Sequence, residues 1–451
     1  MKELYSKPWS RMDFIKFTTP SALSLLTISL YMIIDAFFIS RFAGTLAMAS
    51  MSIIMPLYSF TLGIGIMMAT GASAIIGVEF GEEKKNIANG HFSMALGFLI
   101  AVSFGIILTG YIIGPERISL LLGATEKLLP YCVDYLNIFL WGISALILQV
   151  SFEFFIRLDG KPSWALYTSL LGGAVNIILD YILIVRFDMG IKGAAIASVA
   201  GIFAACLNGG AYFIFKSTSL KIVRPLLEFR FLLNAMINGS SEMVTELSSG
   251  VKVLVFNYVL IKYAGEAGVA AMSILMYLFF LLSALYIGMC DGVLPVISFN
   301  FGSKNFKQIR EILSMSIQFI SRIAIFVFAM AFFFGDFVIE LFAKDQAQVI
   351  TLAKDGIRII AWSFLINGIN TLGSSFFTSV NNGKISALIS ALRTFVFTFG
   401  FVIILPFFMG MNGIWLSLPA AELATLLVTF YFLIKYRETY LFPIRLVKKD
   451  K

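Results

Sequence analysis

Four oxygen-bearing residues lie where oxygen is costly to bury. Asp35 interrupts the apolar run SLYMIIDAFF, Asp180 interrupts NIILDYILI with Asn176 four residues before it, and Ser198 sits in KGAAIASVAG. Residues four apart share one face of a helix, so Asn176 and Asp180 present an amide and a carboxylate side by side. Carboxylate, amide and hydroxyl oxygens suit a small hard cation, which makes Asp35, Asn176 and Asp180 a candidate Na⁺ site. The same carboxylates can instead trap a proton, because burial and a second carboxylate both disfavour the ionised form. The structural alternative is that each residue bonds a neighbouring helix as glue. A second set of ionisable residues comprises Glu153 in the first half of the chain and Glu242, Glu246, Lys252, Asp291, Arg322, Arg393 and Glu422 in the second. Glu153, Glu242, Glu246, Asp291 and Glu422 are candidates to contact a cationic substrate. The acidic residues of the second half could equally pair with Lys252 and Arg393.

The elements that must carry these residues are membrane helices. Hydrophobic residues make up 59% of 451 and charged residues only 13%, against about half and about a quarter in ordinary soluble domains. Twelve apolar segments are long enough to cross a hydrocarbon layer of ~30 Å at ~1.5 Å per residue. They fall near 14–40, 46–78, 88–114, 129–156, 162–185, 192–215, 233–262, 267–299, 312–335, 351–379, 385–408 and 412–434. The expected fold is therefore all-α and integral to the membrane. Lys and Arg concentrate in the N-terminal arm, the even-numbered connections and the tail, which places both termini in the cytoplasm of a multi-pass cell-membrane protein. The formal charge of +8 then needs an anionic inner leaflet rather than a nucleic acid. Cys132, Cys206 and Cys290 are scattered through apolar sequence and suggest neither disulfides nor a metal centre.

RFAGTLAMASMSIIM from Arg41 aligns without a gap to KYAGEAGVAAMSILM from Lys262, and Phe80-Gly81 aligns to Phe301-Gly302 at the same offset. The chain thus divides into two halves of six spans, parallel because six is even. The boundaries are 1–217 for an N-lobe, 218–232 for an interfacial linker, 233–440 for a C-lobe and 441–451 for a basic tail. Depth then groups the first four residues. Asp35 and Asp180 each lie about five residues below the outer ends of spans 1 and 5, and Ser198 enters span 6 at a similar level, a layer ~8–14 Å deep. Pro20, fifteen residues before Asp35, removes a backbone bond from span 1, so a bend there could shift that carboxylate.

Three stretches carry a resemblance: NIILDYILIVRFDMGIKGAAIAS from Asn176, IDAFFISRFAG from Ile34, and GVLPVISFNFGSKNFKQIREIL from Gly292. The chain resembles the multidrug and toxic compound extrusion (MATE) transporters, in their bacterial and archaeal DinF/MepA-like branch. That resemblance implies a V-shaped pair of lobes, no enzymatic activity and no cofactor beyond H⁺ or Na⁺ as coupling ion. It further implies export of organic cations or amphiphiles by a protein working as a monomer. It assigns cation coupling to Asp35, Asn176, Asp180 and Ser198, the last standing where relatives carry Thr, and it makes Pro20 the bend of helix 1. The essential helix 7 Glu of other branches falls at Ser249, one turn beyond Glu246, and the C-lobe Asp pair of those branches is not evident. The alternatives are a flippase for lipid-linked or other amphiphilic metabolites and, more remotely, an intramembrane aspartyl protease, whose Gly-x-Gly-Asp motif is absent.

Overall fold

The computed structural model describes residues 2–343 and 346–442; the tail expected over 441–451 therefore lies, from 443 onward, outside the described residues. The polypeptide is helical almost throughout. Span 1 is Arg11–Phe38, opened by a capping box in which Ser10 and Asp13 satisfy each other's backbone N–H groups. Pro20 lies within it, and the helix continues past the missing hydrogen bond. Spans 2, 3, 4 and 6 are Thr45–Gly81, Lys85–Ile113, Leu129–Leu158 and Gly190–Phe215. Span 5 runs Pro162–Asp180 and then widens into a π-helical segment, Tyr181–Arg186; span 1 ends the same way over Ile39–Ala43.

The second half opens with a short helix, Phe229–Asn238, and then a 63-residue helical stretch, Ser240–Gly302. This stretch is two spans, because Gly265 at φ 62, ψ −153 reverses the chain in a conformation that a side chain would oppose. Spans 9, 10 and 12 are Phe306–Phe342, Ala347–Ser379 and Met411–Lys435, and span 11 is assembled from Gly383–Ala391, a π-helical segment Leu392–Thr398, and Phe399–Ile404. Ten of these helices are individually long and apolar enough to cross a membrane. Dividing the longest at Gly265 and adding the more polar Ala347–Ser379 gives twelve.

The connection between the halves is irregular from Thr218 to Glu228, so its backbone groups need partners from elsewhere. Asp159 supplies most of them. Its Oδ1 accepts from the N–H of Ser219 (2.7 Å) and Leu220 (2.9 Å), and its Oδ2 from the N–H of Thr218 (2.8 Å) and the Tyr212 hydroxyl (2.6 Å). Asn89 and Ser93 of span 3 accept from Lys221 N–H and Val223 N–H, both at 2.9 Å.

The lobes meet at the face that carries the described chain ends. Span 2 of the first lobe and the start of the second approach backbone to backbone: a Cβ on Gly71 would strike the Ala235 carbonyl, and one on Gly239 the Met67 carbonyl. The N-terminal helix Lys2–Ser6 seals this contact. Tyr5 is fully buried; its hydroxyl donates to the carbonyls of Arg157 and Leu158 in span 4, both at 3.0 Å, while its own carbonyl accepts from Asn300 of span 8, also at 3.0 Å. Toward the opposite ends of the same helices, Leu46 and Met55 of span 2 and Leu254 and Tyr258 of span 7 are exposed.

Candidate functional site

Asp35 and Asp180 each occupy the last turns of a regular helix, immediately before the π-helical segment that closes spans 1 and 5. Segments of this kind recur where a helix is deformed to aim a functional group. Span 6 brings Ser198 to the same level. The result is a cavity of about 70 Å³ inside the N-lobe, with Asp35, Asn176 and Ser198 in its lining. Asp180 is fully buried beyond that lining, within electrostatic reach of Asp35. Among the described residues neither oxygen of Asp180 has a hydrogen-bond donor, and Asp35 Oδ1 and Asn176 Oδ1 also lack one. A buried acceptor without a donor carries its full desolvation cost. Four such oxygens in one place form a donor set that a small cation or protons would satisfy.

Tyr31, Tyr58 and Tyr135 also line the cavity, with Gln149 and Ser169. The sequence reading missed them, although Tyr31 precedes Asp35 by one helical turn and shares its face. Glu153 stands behind this wall, almost wholly buried, accepting from Ser169 Oγ at 3.1 Å and from Gln149 Nε2 at 3.4 Å. Its cation is Arg157, at 3.3 Å. The sequence places Arg157 in a connection, just past span 4. The structure corrects this: the helix extends to Leu158, and the Arg157 side chain is buried inside the protein. Arg157 also approaches Asp291 of span 8 at 3.9 Å, so one guanidinium joins the two lobes.

The C-lobe candidates separate into two kinds. Glu422 is engaged internally. It accepts from Arg393 Nε at 3.0 Å and Nη2 at 2.5 Å, from Asn370 Nδ2 at 2.8 Å and from Asn367 Nδ2 at 3.4 Å. Of the two readings open from sequence, pairing with Arg393 is the one this geometry adopts. Glu242 and Glu246 have no salt-bridge partner among the described residues, and Glu246 packs where span 7 passes Gly63 of the N-lobe. These two carboxyls, with Asp291, face the seam between the lobes, whereas the cavity with unpartnered oxygens belongs to the N-lobe alone.

Two six-helix lobes joined at one face, with an acidic cavity inside one of them, define a polytopic membrane transporter rather than an enzyme. Comparison with known proteins agrees. The MatE family model matches residues 20–182 and again 243–404, one copy in each half, and the chain belongs to that family, in its MepA-like branch. It is 28% identical over 410 residues to the multidrug export protein MepA of Staphylococcus saprophyticus, covering 88% of this chain and 86% of that protein. It is 26% identical over 423 residues to MepA of Staphylococcus aureus, covering 92% of each. Among solved structures it is similar to an outward-facing multidrug resistance MATE family transporter of the MOP superfamily, with TM-score 0.91, 20% identity and 97% of each chain covered. A MOP superfamily transporter from Pyrococcus furiosus, described as having a binding pocket of reversed polarity, superposes with TM-score 0.89 at 21% identity over 98% of each chain.

Proposed function

We propose that this protein is a secondary antiporter that exports cationic or amphiphilic compounds in exchange for inward H⁺ or Na⁺, coupled at Asp35, Asn176, Asp180 and Ser198. The observation that carries the reading is the set of four buried oxygens without donors on Asp35, Asn176 and Asp180. Both termini are on the cytoplasmic side in this reading, so the sealed face closes inward and the exposed apolar ends of spans 2 and 7 lie toward the outside. A cation entering from outside reaches the N-lobe cavity first and neutralises its carboxylates. Loss of that charge changes how span 1 packs on spans 5 and 6, and Pro20 is where span 1 can yield. Substrate held at the seam, against Glu242, Glu246 and Asp291, is then released outward. In this reading the two sites are distinct, and the repacking of span 1 links cation entry at the N-lobe cavity to loss of the substrate's seat at the seam, which is the requirement for exchange. The proposed functional unit is the monomer, a reading supported by a site and a seam that both lie within one chain.

The test is export of a fluorescent organic cation from proteoliposomes under a pH gradient or a Na⁺ gradient, with wild type and Asp180→Asn. Whichever gradient drives wild-type transport identifies the ion, and Asp180→Asn, folded and inserted, is expected to abolish gradient-driven export. Wild-type rates in that variant would refute coupling at this site. If neither gradient drives export and a lipid-linked sugar is translocated instead, the flippase reading replaces this one.

A further inference from the structure

A second cavity lies at the foot of span 1, on the face that carries the chain ends. Its volume is about 340 Å³, and it opens between the N-terminal arm, the first turns of span 1 and the start of span 5. Three lysines line it: Lys7 from the arm, Lys16 from span 1 and Lys161 from the residue before span 5. Asp13 is the single acidic residue in the lining among the described residues and is already paired with Lys7, at 3.2 Å. Lys16 and Lys161 have no carboxylate partner among the described residues, so two uncompensated positive charges face one cavity.

The rest of the lining matches those charges. Span 5 begins at Pro162, and the N–H groups of Trp164 and Ala165 both close on the Lys161 carbonyl, which leaves the Ser163 N–H and hydroxyl available at the positive end of a long helix. The Trp164 ring closes one side, packed on Tyr212 with its centroid 5.7 Å away. Leu4, Trp9 and Phe17 supply an apolar floor. Lysines above tryptophans at the end of a membrane span is the composition of the interfacial layer, where an anionic head group and the top of its acyl chains are met together.

We propose that this cavity binds a phosphate-bearing anion, held by Lys16, Lys161 and Ser163. The two sources of that chemistry are the head group of an anionic phospholipid and free inorganic phosphate. The apolar floor favours the lipid. Occupancy would clamp the N-terminal arm, and with it Tyr5 at the lobe seam, onto spans 1 and 5. The proposal does not depend on which ion drives transport.

The experiment uses the full-length protein in detergent, measuring binding of phosphatidylglycerol, phosphatidylcholine and inorganic phosphate by native mass spectrometry and by thermal shift. Wild type is compared with Lys16→Gln/Lys161→Gln and with Lys216→Gln/Lys221→Gln, which removes equal charge from the same face but outside the cavity. All four lysines are exposed, so folding should survive the changes. Phosphatidylglycerol is expected to bind wild type more tightly than phosphatidylcholine, and the cavity variant to lose about 25-fold in affinity, about 5-fold for each lysine. The control variant should retain wild-type affinity. Comparable protection by millimolar phosphate, lost in the same variant, would identify a free-anion site and still support the proposal. Equal phosphatidylglycerol affinity in wild type and the cavity variant, or an equal loss in the control, would overturn it.

Discussion

The closed seam makes a quantitative claim about Gly71. A methyl group there would overlap the Ala235 carbonyl oxygen and stand 2.8 Å from its carbon and from Gly239 N, whereas ordinary contact begins at 3.4 Å. None of these atoms belongs to a flexible side chain, and the added methyl would lie 1.9 Å from the Ala235 oxygen, so Gly71→Ala must push span 2 away from the helix Phe229–Asn238 by roughly an ångström. Overpacking of this kind costs about 1–3 kcal/mol. The cost falls only on the state in which this face is sealed, so the equilibrium should move about 5- to 150-fold toward the state in which the face is open. Gly97→Ala provides the control, because nothing lies within 4 Å of its added methyl. Spin labels replacing the exposed Lys85 and Lys307 would report the lobe separation at this face by double electron–electron resonance in liposomes. Of the native cysteines, Cys132 and Cys290 are buried and Cys206 half-buried, which favours selective labelling. Gly71→Ala should transfer population to a longer distance while Gly97→Ala matches wild type. An unchanged distribution in Gly71→Ala would mean that this glycine contact does not hold the face closed.

Two further outcomes follow from buried charge. Arg393→Gln leaves the Glu422 carboxylate buried with Asn370 and Asn367 as its remaining donors among the described residues, and should lower stability by about 3–5 kcal/mol, read as a fall in Tm. Adding Glu422→Gln should restore part of the loss; a double variant no more stable than Arg393→Gln alone would show that the pair is not coupled. Asp159→Ala removes the acceptor for three consecutive linker N–H groups and the Tyr212 hydroxyl, at a cost of about 3 kcal/mol spread over the linker. Trypsin should then cut faster at Lys221 and Arg224, and an unchanged cleavage rate would contradict the assigned role of Asp159.

How legible the protein was from its residues depended on the kind of interaction. Periodicity and length disclose a membrane helix, because each backbone group bonds within its own segment and the apolar run needs no partner to be recognised. The twelve spans, the repeat offset and the shared level of Asp35, Asn176, Asp180 and Ser198 are of this local kind. Depth along a helix is a matter of counting residues, and it was enough to group three of the four on one cavity, with Asp180 beside it.

Pairing across helices is not local, and there only the tertiary structure decided. Arg157 reads as a residue of a connection until span 4 is seen to extend and bury it between Glu153 and Asp291. Glu422 is a cation lure or a salt bridge with equal justice until Arg393, twenty-nine residues earlier, is placed against it. From sequence the N-terminal arm is a place where Lys and Arg concentrate, yet Tyr5 is a plug in the seam. The tyrosines of the N-lobe cavity are ordinary membrane aromatics until spans 1, 2 and 4 converge. Local sequence determines which groups reach a given depth in the membrane; the azimuth of each helix, fixed by packing against its neighbours, determines which of them meet.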